Sequence, residues 1–100
     1  MSRTAFTPTQ VVTRLATLTG WALSGDGDQV AIEKTFRFAN FHETMGFVNA
    51  LAFQANRHDH HPDLSVHYGH CVVRWRTHDA GGLTQADFDS AARTDALLNG

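Results

Sequence analysis

The segment Asn56-Arg57-His58-Asp59-His60-His61-Pro62-Asp63 packs imidazoles and carboxylates more densely than any other part of the chain. Seven histidines occur in 100 residues, five of them between His58 and His70, and a further one sits in Thr77-His78-Asp79. Imidazole is the side chain whose ordinary pKa, about 6.5, lets it both give and accept a proton near neutrality. Three readings of the cluster compete. In the first, imidazoles do general acid–base chemistry, with Asp59 orienting a ring or stabilising its charged form. In the second they bind a metal: His, Asp and a distant His78 are suitable donors for zinc or iron, but the spacing fits neither a His-x3-His helix pair nor a cysteine-based finger. In the third they are surface histidines in a loop. Adjacent His60 and His61 point to opposite sides of an extended chain, yet at a bent junction both can line one pocket. Pro62 makes such a junction, because it ends a helix and biases His61 to an extended backbone.

Other candidates are weaker. Cys71 falls between apolar neighbours on a core face and is expected to be a buried, inert thiol. Gly25-Asp26-Gly27 has neither the strand-to-helix context nor the lysine of a phosphate loop. His42 opens a helix, and His67 and His70 are strand residues with no partner evident from spacing; all three are expected at the surface. Arg74 and Arg76 lie on an open sheet face, where solvation is the commoner explanation and contact with an anionic ligand or second subunit the sharper one.

The elements that must position these groups are legible from pattern. Thr7-Pro8-Thr9-Gln10 is a capped start, and Val11, Val12, Leu15 and Leu18 form one stripe, predicting a helix over about 8–19. Trp21–Ser24 and the alternating run Val30–Phe38 predict a hairpin across the turn Gly25-Asp26-Gly27-Asp28. Asn40 caps a long helix ending near Arg57, with Phe41, Met45, Val48, Leu51, Ala52 and Ala55 as its apolar face. After a polar stretch from His58 to Ser65, residues 66–77 alternate, with Cys71, Val73 and Trp75 on one side. Leu83, Thr84, Asp87 and Phe88 start a last helix by staple and cap. The order α-β-β-α-β-β-α predicts an α+β fold, a four-stranded antiparallel sheet with three helices on one face.

Composition narrows the function class. Eight Lys plus Arg against ten Asp plus Glu give a net charge of -2 and a pI near 6.3. That is the wrong balance for coating nucleic acid or an anionic membrane. One cysteine excludes an internal disulfide, and no apolar run approaches the roughly 20 residues of a membrane span. The expectation is one cytoplasmic domain over residues 1–100, small enough that self-association would help its stability.

A specific constellation then stands out. His60-His61-Pro62-Asp63, Tyr68, and Thr77-His78-Asp79-Ala80-Gly81-Gly82-Leu83-Thr84 with Asp87 resemble the signature of the pterin-4a-carbinolamine dehydratase family. Gly20-Trp21, Phe36-Arg37-Phe38, Phe41 and Met45-Gly46-Phe47 extend the resemblance over about residues 8–98. It implies dehydration of a 4a-hydroxytetrahydropterin, the product of aromatic amino-acid hydroxylases, to the quinonoid dihydropterin, in support of tetrahydrobiopterin recycling. It implies no cofactor and no metal. By resemblance His60, His61 and His78 are catalytic, with His61 the acid toward the hydroxyl and His60 and His78 binding the pterin and serving as base. Asp59, Arg76, Thr77 and Asn56 fall at substrate-binding positions.

The chain departs from the family pattern in places. Asn56 stands where some members carry a glutamate that helps the histidines, which points to reduced activity. Leu64 and Val66 replace a common aromatic residue and a frequent asparagine. The resemblance also implies a homodimer or homotetramer built by sheet extension and helix packing, and allows a hydroxylase or other protein partner. The rival reading is a non-catalytic role, since the family includes a dimerisation cofactor for a transcription factor and assembly factors for the carbon-fixing enzyme.

Overall fold

The computed structural model describes residues 4–99. Helix α1 (Pro8–Leu15) opens with a reciprocal cap: Thr7 Oγ1 accepts from the Gln10 amide at 3.2 Å and Gln10 Oε1 accepts from the Thr7 amide at 2.9 Å. The apolar stripe predicts that α1 runs to residue 19, but it stops at Leu15. Thr17 explains the early end: its amide and its hydroxyl both donate to the Arg14 carbonyl, at 3.1 and 2.7 Å. The carbonyl that Leu18 would need is thus taken one residue early, and Leu18 bonds to Leu15 instead.

Four strands follow, β1 (Ala22–Ser24), β2 (Ala31–Arg37), β3 (Asp63–Val66) and β4 (His70–Trp75), with α2 (Phe41–Arg57) between the pairs and α3 (Gln85–Ala96) last. The sheet is wholly antiparallel in the order β1-β2-β4-β3. Ile32 and Phe36 of β2 and Cys71, Val73 and Trp75 of β4 share its inner face. They form one core with Val11 of α1, Phe47, Leu51 and Ala55 of α2, and Phe88 and Ala91 of α3. The predicted α+β class, element order and strand count hold.

Two local expectations change. Strand β3 lies inside the stretch whose composition predicts a loop, and the alternation expected from residue 66 is broken by a turn at 67–69. A four-residue edge strand carries little pattern: Leu64 and Val66 stand opposite Val73 and Cys71, and of the two only Leu64 packs on the core while Val66 is exposed. On α2 the buried face is Thr44, Phe47, Leu51 and Ala55, while Phe41 and Ala52 are exposed. The helix is turned by tertiary partners: Phe47 packs between Phe36 and Phe38 at 4.9 and 5.2 Å, and the Thr44 hydroxyl donates to the carbonyls of Asn40 and Tyr68.

α3 is fastened to the sheet by two indoles. Trp75 Nε1 donates to Thr94 Oγ1 at 3.1 Å, and Trp21 Nε1 donates to Asp95 Oδ2 at 3.0 Å. Lys34 Nζ completes that corner, donating to Asp95 Oδ1 at 2.9 Å.

The outer sheet face carries the directly opposed pair Glu33 and Arg74, joined at 2.8 Å. The Arg74 guanidinium holds the Glu33 carboxyl below the usual glutamate range. A depressed carboxylate stabilises the fold above its unfolded pKa and loses that contribution as pH falls through the folded one. Arg74→Ala is therefore expected to flatten the loss of stability below about pH 4.5, followed by urea midpoints against pH. An unchanged slope would mean that the pair is energetically silent.

Candidate active site

The polar junction after α2 is a helix end with two closing bonds. His58 caps the helix, Asp59 adopts a left-handed backbone with φ 50°, and its amide donates to Asn56 O at 3.4 Å. The His60 amide reaches back to Ala55 O at 3.3 Å. This pair of bonds is the Schellman arrangement, which reverses the chain within two residues. The reversal drives His60 inward, to 6% exposure, and leaves His61 at the surface. The bend thus separates the environments of the two adjacent imidazoles.

A left-handed non-glycine residue is strained, and glycine is the usual occupant of this position. Relief of about 1–2 kcal/mol of left-handed strain, less the roughly 0.5–1 kcal/mol that glycine loses in chain entropy, leaves Asp59→Gly expected to raise stability by about 0.5–1 kcal/mol. Because the same carboxylate faces the hollow described below, the substitution should also weaken ligand binding there. Thermal melts and a binding titration read the two effects separately; a variant no more stable than the parent would show that Asp59 bears no strain.

His60 is fixed on two sides. Its ring stacks on Trp75 at 5.4 Å and 14°, and its Nε2 lies 2.7 Å from Asp87 Oδ1. Asp87 is fully buried. Its second oxygen accepts from the Thr77 hydroxyl at 2.8 Å and from the Thr84 amide at 3.0 Å. A carboxylate only accepts, so Nε2 of His60 is the protonated nitrogen of that contact. One side chain at the start of α3 therefore ties together the end of β4, its own helix terminus and the histidine loop. The short 3-10 turn His78–Ala80 follows Thr77, and His78 and Asp79 are exposed on it.

Asp59, His60, His61, Arg76, His78 and Asp79 line one open hollow of about 320 Å³. That is the low end of the volume range for small-molecule sites. The three histidines and the Asp59 and Arg76 expected at the site are thus brought to one place. Thr77 is not a lining residue; it is buried, with its hydroxyl turned to Asp87 and Thr84. Asn56 is exposed on the last turn of α2 and does not line the hollow either. Asp87 was legible as a helix-start residue but not as the partner of His60, and Trp75 only as a core residue. The signal that could have raised Asp87 is its place in the Thr84 cap. A cap at the end of a tight turn brings its carboxylate close to whatever that turn packs against.

Among the described residues no group of three or more His, Cys, Asp or Glu side chains is placed to hold a metal ion. Cys71 is fully buried, and burial pushes its thiol pKa up, as expected for an inert core thiol. His42 is exposed. His67 and His70 stack on each other at 4.2 Å and 11°, with Ser65 Oγ 2.9 Å from His67 Nε2. Desolvation, with repulsion from His67 and Arg37, holds His70 below the ordinary histidine pKa.

Known proteins share this chain's sequence and fold. The family profile described as pterin 4 alpha carbinolamine dehydratase matches residues 4–97. A protein of Paracidovorax citrulli, provisionally named pterin-4-alpha-carbinolamine dehydratase, is 66% identical over 97 residues, 97% of this chain and 84% of its own. One of Chromobacterium violaceum with the same provisional name is 59% identical over 84 residues, 84% of this chain and 74% of its own. Among solved structures, a transcriptional coactivator/pterin dehydratase from Brucella melitensis superposes with a TM-score of 0.85 at 29% identity, over 93% of this chain and 97% of that one. A pterin dehydratase-like protein identified as a RuBisCO assembly factor in the alpha-carboxysome superposes with a TM-score of 0.65 at 25% identity, over 78% and 88%. The profile match takes in every helix and strand and both histidine stretches, and the chain belongs to the pterin-4a-carbinolamine dehydratase family.

Proposed function

We propose that the protein dehydrates a 4a-hydroxytetrahydropterin to the quinonoid dihydropterin and water. Breaking the carbon–oxygen bond at C4a expels hydroxide, a poor leaving group unless it is protonated as it departs. The lone pair of the adjoining ring nitrogen forms the new C=N bond, and its N–H proton must go to a base. One acid and one base suffice. The observation that supports this reading is the meeting of His60, His61 and His78 on one hollow. His61 is the acid toward the departing hydroxyl. His60 and His78 bind the ring and accept the N–H proton, with His60 held by Asp87 and Trp75 and His78 the more exposed of the two. Asp59 and Arg76 contact the pterin beside them, and the reaction takes place in the cytoplasm, beside an aromatic amino-acid hydroxylase that supplies the substrate.

Purified protein should accelerate dehydration of an enzymatically generated 4a-hydroxytetrahydropterin well above the buffer rate, with saturation in substrate and no loss in excess chelator. A rate equal to buffer would overturn the reading. Loss in chelator restored by zinc would replace it with the metal one.

A second role rests on surface chemistry. Phe53 and Tyr68 are each 69% exposed, Phe41 stacks on Tyr68 at 6.5 Å, and β1 and β3 leave open sheet edges. Open edges and exposed aromatics are surfaces for pairing. They support a homodimer or homotetramer; a monomer at micromolar concentration in analytical ultracentrifugation would refute it.

A further inference from the structure

Arg76 alone, among the described residues that line the hollow, carries a permanent positive charge. It is gripped from two sides. Nη1 donates to Gln29 Oε1 at 2.7 Å, and Nε donates to Asp63 Oδ2 at 3.4 Å, leaving the side chain 20% exposed. Gln29 comes from the turn between β1 and β2, 47 residues away in sequence. That turn is built to present it. The Gln29 amide nitrogen donates to Asp28 Oδ1 at 3.4 Å, which orients the amide with its oxygen toward Arg76. The Gln29 backbone N–H donates to Asp26 O at 3.0 Å. Gly25 sits at φ +69°, where a Cβ would come within 2.5 Å of the Gln29 carbonyl oxygen. Only glycine allows the turn to close this tightly.

A guanidinium has five N–H donors, and this grip uses two. The others are available to a ligand in the hollow. Asp59 and Asp79 set two carboxylates against that one cation. An anionic ligand group is therefore opposed, while a neutral carbonyl oxygen is not. A pterin ring presents such an oxygen next to N–H and amino donors, which match the carboxylates. We propose that Gln29 is a positioning residue, holding Arg76 so that its guanidinium donates to the ring carbonyl oxygen of a pterin without an anionic substituent. The proposal rests on the hollow being a pterin site.

Ligand affinity, measured apart from turnover, tests it. Unsubstituted pterin and 6-carboxypterin are titrated by their own fluorescence against the parent protein and Gln29→Leu, Gln29→Glu, Arg76→Leu and the Gln29→Leu/Arg76→Leu double variant, with thermal melts confirming the fold. Arg76→Leu should raise the pterin Kd about 10- to 100-fold and Gln29→Leu about 3- to 10-fold, the scale of a hydrogen bond to a charged group. Gln29→Glu keeps an acceptor for Arg76 but loses the NH2 group that donates to Asp28, and should bind between the parent and Gln29→Leu. The double variant should bind no worse than Arg76→Leu, because Gln29 acts through Arg76. In turnover, Gln29→Leu should raise KM by more than it lowers kcat. 6-Carboxypterin should bind the parent more weakly than pterin. Unchanged pterin binding in Gln29→Leu, additive losses in the double variant, or tighter binding of the carboxylated ligand would each overturn the proposal. A parent protein that binds neither ligand would remove the pterin reading of the hollow, and this inference with it.

Discussion

His61→Ala is expected to slow dehydration by about 10²- to 10⁴-fold, the scale of one general acid, with stability within about 0.5 kcal/mol of the parent. The separation of the two effects comes from the helix end. Asp59 turns the chain so that His61 stays at the surface, facing the hollow, outside the network that Asp87 gathers. His60→Ala is a poorer test, because it also takes away the ring stacked on Trp75 and a partner of a buried carboxylate. His78→Ala is as clean as His61→Ala, since His78 is exposed on its 3-10 turn. If acid and base act on one substrate together, the His61→Ala/His78→Ala double variant should lose little more than the worse single one. Stopped-flow rates and urea midpoints on the same samples check both halves. A His61→Ala rate equal to the parent would remove acid catalysis by this residue and leave a binding or assembly role, with the exposed aromatics as its surface.

The sequence reveals what local chemistry decides. Thr7 and Gln10 cap each other as their spacing predicts, and α2 ends at Arg57, ahead of Pro62, which cannot continue a helix. The alternation of Cys71, Val73 and Trp75 predicts the inner face of β4. What depends on distant partners is less legible. Six apolar residues on α2 define a stripe, yet the buried face turns toward Phe36 and Phe38, which no spacing within the helix can announce. β3 hides because four residues with one side chain packed on the core carry too little pattern to stand out against histidines and aspartates.

The same division runs through the site. His60 and His61 stand out through density, and His78 through its place just past the patterned strand and through the family signature. Their meeting depends on β4 running antiparallel beside β3, so that the residues just before β3 and just after β4 lie at the same end of the sheet. Asp87 and Gln29 are the parts that sequence does not disclose. A carboxylate three residues into a capped helix looks the same whether it serves only the cap or also a histidine 27 residues earlier. A glutamine beside a turn glycine looks like any solvated turn residue until the sheet sets it against Arg76.

Asp87→Ala and Asp87→Asn are expected to separate what this carboxylate does for the fold from what it does for His60. Alanine removes the acceptor from three donors at once, the His60 ring, the Thr77 hydroxyl and the Thr84 amide. Truncating one member of a buried charged network costs about 3–5 kcal/mol, a large part of the roughly 5–15 kcal/mol that holds a domain together. Asparagine keeps the shape and one acceptor oxygen. The Thr84 amide can only donate, so that oxygen must stay where Oδ2 is now, and the new NH2 group faces His60 Nε2. The imidazole can meet an NH2 group only as an acceptor, which moves its proton to Nδ1. Asp87→Asn should therefore fold with a smaller loss than Asp87→Ala while dehydrating about 10- to 100-fold more slowly, the usual cost of releasing a group from the partner that orients it. Urea midpoints rank the two variants for stability, and histidine nitrogen chemical shifts report the tautomer. If Asp87→Asn kept full activity with the proton of His60 still on Nε2, Asp87 would be a structural tie alone, and His60 would owe its orientation to Trp75.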